Sequence, residues 1–426
     1  MTDRPNDASR ARQNYVLAVL VLVYAVNFID RNLLPILLQP IKEELGASDA
    51  AMGFLVGFAF AVFYTLAGIP IARLADHGSR RDIMAIGIAF WSLMTAASGL
   101  VTSFAQLALV RIGVGVGEAS ATPAAHAMIS DLFPPERRAR ALSIYSTGAN
   151  FGVLFGLMLG GVIQQTLGWR AAFLLIGLPG ILIALLVRWT LPEPRRGESE
   201  GLVDPGETPD IATTLRYLAS RPTFRHLAAS AGLYGITCYG FVAWAPTFVV
   251  RVHGLGPAET GFKTGLAIGI SGAIGAVFAG ELTDRLVKRD RRWLVWIPAA
   301  SAVLQVPFHA AFALSPSADL AILALVPVNF LNGIFGPSSY TLTQGLAQVR
   351  MRAMASATLL FFLNLVGMGL GPTLVGQLND VFAAEHGADA IRYSILALLL
   401  ANAWGIVHSL LATRTLEADL ARAAER

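Results

Sequence analysis

Ala72-Arg-Leu-Ala-Asp76-His-Gly-Ser-Arg80-Arg81 and Gly280-Glu-Leu-Thr-Asp284-Arg285-Leu-Val-Lys288-Arg289 are two copies of one pattern. Each sets an acid four residues after a small residue, then two bases four and five residues beyond the acid. Each sits at the end of an apolar run, 50–74 for the first copy and 260–284 for the second. A second echo, Arg138-Ala-Arg140-Ala-Leu against Arg350-Met-Arg352-Ala-Met, adjoins the runs 140–164 and 353–379. Self-similarity over half a chain signals two copies of one architectural unit. The longest polar break, 192–210, is rich in Pro, Gly and charge and reads as a linker. The expected division is a six-helix bundle over 1–193, a cytoplasmic linker over 194–222, and a second six-helix bundle over 223–426. Within the linker, Leu215, Tyr217 and Leu218 alternate with Arg216 and Arg221, the pattern of an amphipathic surface helix.

The chain has 426 residues, 55% hydrophobic and 14% charged, with a mean hydropathy of +0.59. Soluble domains carry roughly 25% charged residues. A membrane-spanning helix needs about 20 mainly apolar residues. Twelve runs qualify: 16–38, 50–74, 83–103, 105–131, 140–164, 171–191, 224–250, 260–284, 293–313, 319–345, 353–379 and 390–413. The fold class is therefore all-α integral membrane, with twelve transmembrane helices in two pseudo-symmetric bundles. The first run is too long and too polar in places for a cleaved signal peptide. All but seven of the 32 Lys and Arg lie in the termini and in alternate loops. The exceptions are Lys42, Arg170, Arg251, Lys263 and Arg392 in the opposite loops, and Arg31 and Arg111 inside runs. That asymmetry places both termini in the cytoplasm, so the pI of 9.4 reflects topology rather than nucleic-acid binding. Cys238 is the only cysteine, which excludes an intrachain disulfide and a thiolate metal cluster.

Charge inside two of the runs points to a site. Asp30 and Arg31 interrupt the first run, and Arg111 and Glu118 the fourth. A charge near the bilayer centre costs about 2.5–3.5 kcal/mol on insertion scales, so such groups face a partner or a cavity and mark functional sites. Arg111, Gly115 and Glu118 are spaced i, i+4, i+7 and share a helical face. Arg111 and Glu118 stand ~10 Å apart along the axis, and Asp30 falls level with or between the two on an antiparallel neighbour. Arg111 stays protonated. An acid that swaps between it and a closed apolar cavity takes up and releases a proton with the conformational cycle. Asp30, Glu118 and Arg111 are thus the proton-coupling candidates. Two acids near one base leave a negative group over, which suits a proton relay; the competing reading is a permanent ion pair that only fixes packing. Arg31, about 100° round the helix from Asp30, is assigned to the substrate cavity, with anchoring of the opposite helix face as the alternative.

The loop pattern G-x-x-x-D-[RK]-x-G-[RK]-[RK] is the signature of the major facilitator superfamily, and both copies resemble it. The first matches at Asp76, Arg80 and Arg81, with Ala72 and Ser79 in place of glycines and His77 in place of a base. The second matches at Gly280, Asp284, Arg285, Lys288 and Arg289, with Val287 in place of a glycine. The resemblance covers residues 15–413. Within the superfamily, two stretches resemble the Spinster family of sphingolipid and lysolipid transporters. They are Asn27-Phe-Ile-Asp30-Arg31, and Arg111-Ile-Gly-Val-Gly-Val-Gly-Glu118-Ala-Ser running on to Ile129-Ser-Asp-Leu-Phe133. Bacterial organic-anion symporters share the first Asp-Arg pair. The resemblance implies substrate held at the midplane between the halves and moved by alternating access. Asp76 and Asp284 are expected to latch neighbouring loops, with Arg80, Arg81, Arg285 and Lys288 as the bases; solvated loops that set topology explain those bases equally well.

A midplane cavity is expected to draw Asn27, Tyr234, Tyr239, Trp244, Asn329, Phe330 and Asn332 from spans 1, 7 and 10, and Tyr145, Phe361 and Asn364 from spans 5 and 11. Mostly apolar walls with a few polar groups suit an amphipathic ligand. Gly148, Gly152, Gly156 and Gly160 repeat at i+4, as do Gly367 and Gly371, a spacing that lets helices approach closely. No nucleophile–base set, metal-ligand cluster or ATPase loop is legible. The expectation is a monomeric secondary transporter, not an enzyme, with no cofactor beyond a proton gradient, in a bacterial inner membrane. Its expected substrate is amphipathic and lipid-like, of the sphingolipid or lysophospholipid class. The alternatives are a proton-coupled symporter of small organic or aromatic anions, with Arg111 as counter-ion, and a multidrug efflux transporter.

Overall fold

The computed structural model describes residues 7–194, 210–348 and 351–424. The first six spans are α1 (Asp7–Leu45), α2 (Asp49–Val56) with α3 (Phe58–His77), α4 (Arg80–Ser98), α5 (Phe104–Glu118) with α6 (Ala121–Leu132), α7 (Pro135–Leu167) and α8 (Trp169–Thr190). A short α9 (Ile211–Ala219) follows. The last six are α10 (Pro222–His253), α11 (Pro257–Val287), α12 (Trp293–Ala313), α13 (Ala318–Leu346), α14 (Arg352–Phe361) with a π-helical turn (Phe362–Met368) and α15 (Gly369–His386), and α16 (Ala390–Ala424). Among the described residues, nine helical stretches are long and apolar enough to cross a membrane by length and composition. The last of these, 354–423, contains spans 11 and 12, and the more polar α4 and α5–α6 complete the twelve. Large apolar side chains face outward on these helices, among them Leu400 at 76% and Ile86 at 70% exposure. Surfaces of that kind are stable only against lipid.

Three spans that are continuous apolar runs in the sequence are interrupted as helices. Span 4 breaks at Ala119 and Ser120, where the turn tightens and the Ser120 hydroxyl donates to the Gly117 carbonyl. Pro123 lies just beyond; without an N–H it cannot bond the Ala119 carbonyl, and it is tolerated only because it falls in the first turn of α6. Span 2 breaks at Gly57, and span 11 widens into the π-helical turn.

The glycine spacings do what close packing requires. The four glycines of α7 lie along α1. A Cβ at Gly148 would meet Val21 and Tyr24, one at Gly152 would meet Ala25 and Phe28, one at Gly156 would meet Ile29, and one at Gly160 would meet Leu33 and Ile36. In the second half the same device joins α15 and the π-helical turn to α10, through Gly367 on Gly235 and Gly371 on Ile236 and Gly240. Lipid offers no hydrophobic drive for one helix to leave it for another, so such close backbone contact supplies the association energy.

By their contacts the residues form two units. One takes the chain through Leu37 and from Val62 to the linker; the other takes Leu38–Ala61 and the chain from α9 onward. Counting spans alone puts 38–61 with the first bundle, but its polar partners lie in the second unit. Asp49 is 2% exposed and receives Arg251 Nη2 at 2.9 Å and Lys42 Nζ at 2.7 Å. The Asp380 carboxylate accepts the backbone N–H groups of Asp49 and Ala50 at 3.0 and 2.8 Å and so caps α2. Gly53 and Gly57 press against the backbone of residues 368–373. The linker residues 195–209 lie outside the described set; α9 beyond them is capped by the Asp210 carboxylate, which accepts from the Thr213 N–H at 2.7 Å.

A Cβ at Gly152 would stand 2.3 Å from Phe28 Cβ and 2.6 Å from the Ala25 carbonyl, whereas one at Gly280 has nothing within 4 Å. Gly152→Leu is therefore expected to lower stability by at least ~3 kcal/mol, the upper end of ordinary overpacking, and to lower the thermal midpoint in detergent. Gly280→Ala should be neutral or stabilising by up to about 1 kcal/mol. Equal midpoints for the two variants would contradict this account of α1–α7 packing.

Candidate functional site

Helix α1 offers Asn27, Asp30 and Arg31 on adjoining turns, and α5 offers Arg111 and Glu118. Arg111 Nη1 lies 2.9 Å from Asp30 Oδ1, and both side chains are 3% exposed. Thr95 of α4 donates its hydroxyl to the other Asp30 oxygen. Arg31 Nε donates to Glu118 Oε2 at 2.6 Å, with Glu118 fully buried. The Arg31 guanidinium also lies over the rings of Tyr64, at 4.6 Å, and Phe28, at 5.2 Å, contacts that favour a cation.

This arrangement changes the charge count. The site holds two acids and two bases, and Arg31 joins the cluster instead of anchoring the opposite face of α1. The reason is reach. Asp30 and Arg31 differ by one residue in rise, yet their partners on α5 are about 10 Å apart along that axis. The long arginine side chains span the difference, Arg111 toward Asp30 and Arg31 toward Glu118. No negative group is left over. Among the described residues, neither side-chain atom of Asn27 has a hydrogen-bond partner, although Asn27 is 1% exposed, and Glu118 Oε1 has none either. Tyr145 of α7, 1% exposed, stacks on Tyr24 at 4.4 Å, one turn below Asn27 and Phe28.

The remaining cavity candidates lie in the second unit. Tyr234 donates to Asn332 Oδ1 at 2.8 Å, accepts from Gln305 Nε2 at 3.0 Å and stacks on Phe335 at 4.1 Å. Asn332 reaches Asn329 at 3.4 Å, and Tyr239 reaches Asn364, in the π-helical turn, at 3.5 Å. Phe330 packs on Phe278. Trp244 is fully enclosed, with its indole N–H on the Pro372 carbonyl, so it holds α10 to α15 rather than lining a cavity. Phe361 is 39% exposed and meets the Phe362 ring edge-on. Thr95 and Gln305 are absent from the sequence reading: a single Thr or Gln within an apolar run carries no spacing signal.

The two loop motifs differ. Arg80 pairs with Asp131 of α6. The Ser79 hydroxyl and the backbone N–H groups of Arg80 and Arg81 all donate to the Glu193 carboxylate, at 2.9, 3.1 and 2.9 Å. Arg81 Nε lies 2.8 Å from Asp82, and that bond holds the Asp82 carboxyl below the usual carboxylate range. Asp131 was legible in principle, since an acid in the last turn of a helix opposes its dipole and needs a base. In the second motif Asp284, Arg285 and Lys288 are exposed, and among the described residues Arg285 reaches Glu281, at 3.5 Å. The side chain of Asp76 lies outside the described residues. Among those described, no group of three or more His, Cys, Asp or Glu could hold a metal ion.

A family model described as Major Facilitator Superfamily matches residues 20–372. An MFS-type efflux pump of Mycolicibacterium smegmatis is 34% identical, over 94% of this chain and 92% of that protein. A probable L-galactonate transporter of Escherichia coli is 30% identical over 66% of this chain and 64% of its own length. The solved structure of a bacterial homolog of the human lysosomal transporter Spinster, inward-facing and unoccupied, superposes with a TM-score of 0.86 at 30% identity, over 96% of this chain and 98% of that one.

Removing one partner of a buried pair typically costs about 3–5 kcal/mol, because the other charge is left without compensation. Asp30→Asn is expected to cost that much. Glu118→Gln is expected to cost less, because Arg31 keeps the Tyr64 and Phe28 rings and is 18% exposed. Double-mutant cycles on thermal stability should show coupling for Asp30–Arg111 and for Glu118–Arg31. Strongest coupling between Arg111 and Glu118 would refute this pairing.

Proposed function

Because this chain belongs to the major facilitator superfamily, we propose that it is a proton-coupled secondary transporter that moves an amphipathic, lipid-like molecule of the sphingolipid or lysophospholipid class by alternating access. The observation that carries the proposal is the pair of crossed ion pairs between α1 and α5. Protonating Asp30 removes the partner of Arg111, and protonating Glu118 removes the partner of Arg31. An uncompensated guanidinium away from water is costly. The protonated site therefore favours a conformation in which that arginine reaches water or a substrate group. A proton that binds two conformations with different affinity shifts their balance by that difference, which is all that coupling requires. Asn27, Glu118 Oε1, Arg111 Nε and the Tyr145 hydroxyl are buried polar groups of this region with no hydrogen-bond partner among the described residues, and so are open to a substrate or a proton.

The likeness to the Spinster homolog supports the lipid class. The similarity to a named L-galactonate transporter favours a second reading, a symporter of small organic anions. Against it, both guanidiniums of the site already hold carboxylates, so an anionic substrate has to displace Asp30 or Glu118 to be bound. The skew of Lys and Arg toward alternate loops supports cytoplasmic termini in a bacterial inner membrane. The working form we infer is a monomer with no cofactor beyond the proton gradient.

Flux through purified protein in proteoliposomes, with and without an imposed pH gradient, tests this. Lysophospholipid should move, and a gradient should accelerate it. Glu118→Gln or Asp30→Asn should keep exchange at zero gradient while losing gradient-driven accumulation. Flux indifferent to the gradient ends the coupling proposal. Transport of galactonate alone, abolished by Arg111→Ala, establishes the anion symporter instead.

A further inference from the structure

Helix α9, the first turns of α10, Thr358 and Phe362 line a half-open pocket of about 320 Å³, within the size range of small-molecule sites. Leu215 and Leu218 of α9, Phe224 and Ala228 of α10, and Phe362 wall it. Thr358 also lines it, but its hydroxyl is taken by the Met354 carbonyl at 2.8 Å, so that wall too is effectively apolar. Leu218 and Phe224 are buried, while Leu215 and Arg225 are exposed and mark the mouth. The back wall is the start of the π-helical turn, and π-helical turns recur at binding sites.

The surroundings of the mouth are cationic. Residues 211–226 contain Arg216, Arg221 and Arg225 and no acid. The Arg221 guanidinium lies over the Tyr217 ring at 4.6 Å. Arg225 makes no ion pair among the described residues. Asp210 caps α9, and Asp419 accepts the Thr223 N–H and lies 3.7 Å from Arg422, so neither neutralises Arg225. On α9 itself Ile211 and Leu215, one turn apart on one face, are 41% and 42% exposed, so the helix offers an apolar stripe beside Arg216. Helices of this make-up lie in the plane of the bilayer surface.

We propose that this cavity binds an anionic phospholipid of the surrounding leaflet, one acyl chain inside and the phosphate at Arg225. An apolar cavity stays dry and accepts apolar matter, and beside a bilayer the available apolar matter is an acyl chain. Basic pockets at the ends of membrane helices select anionic headgroups, and the side that carries the Lys and Arg loops faces the anionic leaflet. The bound lipid is a fixed component of the second unit, distinct from whatever the protein transports.

Native mass spectrometry of the purified full-length chain, titrated with phosphatidylglycerol, phosphatidylcholine and glycerol phosphate, tests the site. Phosphatidylglycerol should bind with an affinity that falls about fivefold in Arg225→Gln, the weight of one surface arginine. It should fall more than tenfold in Ala229→Phe, which fills the cavity. Leu215→Asp, at the exposed mouth, should reproduce that loss should Ala229→Phe fail to fold. Phosphatidylcholine should be insensitive to Arg225→Gln, and glycerol phosphate should not bind. Phosphatidylglycerol binding unchanged in these variants, or equal affinity for phosphatidylcholine, overturns the proposal. Glycerol phosphate binding as tightly as the lipid makes this a free-phosphate site and overturns it as well.

Discussion

Two carboxylates and two guanidiniums on α1 and α5 sum to zero charge, and the interior of the first unit depends on that balance. Each ion alone would be expensive at this depth. Paired as Asp30–Arg111 and Arg31–Glu118, each finds its partner within 3 Å. Thr95 adds a hydroxyl to one pair, and the Tyr64 and Phe28 rings add their faces to the other. The pairs form only because α1 is held at a fixed angle and depth, and that placement comes from the four glycines of α7. Small residues in one helix therefore set the electrostatics of another.

The pairs are unequal, and that gives the site direction. Asp30 and Arg111 are sealed on both sides, with side chains 3% exposed. Arg31 is 18% exposed and has aromatic faces as well as Glu118. A proton arriving at Glu118 leaves behind an arginine with other partners, whereas a proton at Asp30 leaves one with few. The Asp30–Arg111 pair is therefore the more tightly enclosed of the two, and the Arg31–Glu118 pair the one with further contacts.

The second unit is organised by neutral polar groups. Tyr234, Gln305, Asn332 and Asn329 make a hydrogen-bonded chain between α10, α12 and α13. Ions enter this unit at its rim, where Asp49 gathers Arg251 and Lys42 and Asp380 caps α2.

The sequence by itself determined the twelve spans, the repeat and the faces on which small residues recur, because length, hydropathy and i+4 spacing are local properties of one helix. It also placed Asp30 at the level of the stretch between Arg111 and Glu118, which lie ~10 Å apart along their helix. Pairing was beyond it. Arg31 and Glu118 are 87 residues apart, and their contact depends on the rotation of two helices about their own axes, which only packing sets. The same holds for Asp131, which takes the Arg80 guanidinium, for Glu193, which accepts backbone N–H groups of the first loop motif, and for residues 38–61, whose ions and backbone caps lie with α10 and α15. Trp244 looked like a cavity wall because an aromatic in a membrane helix has no address until its neighbours are known; the Pro372 carbonyl supplied one.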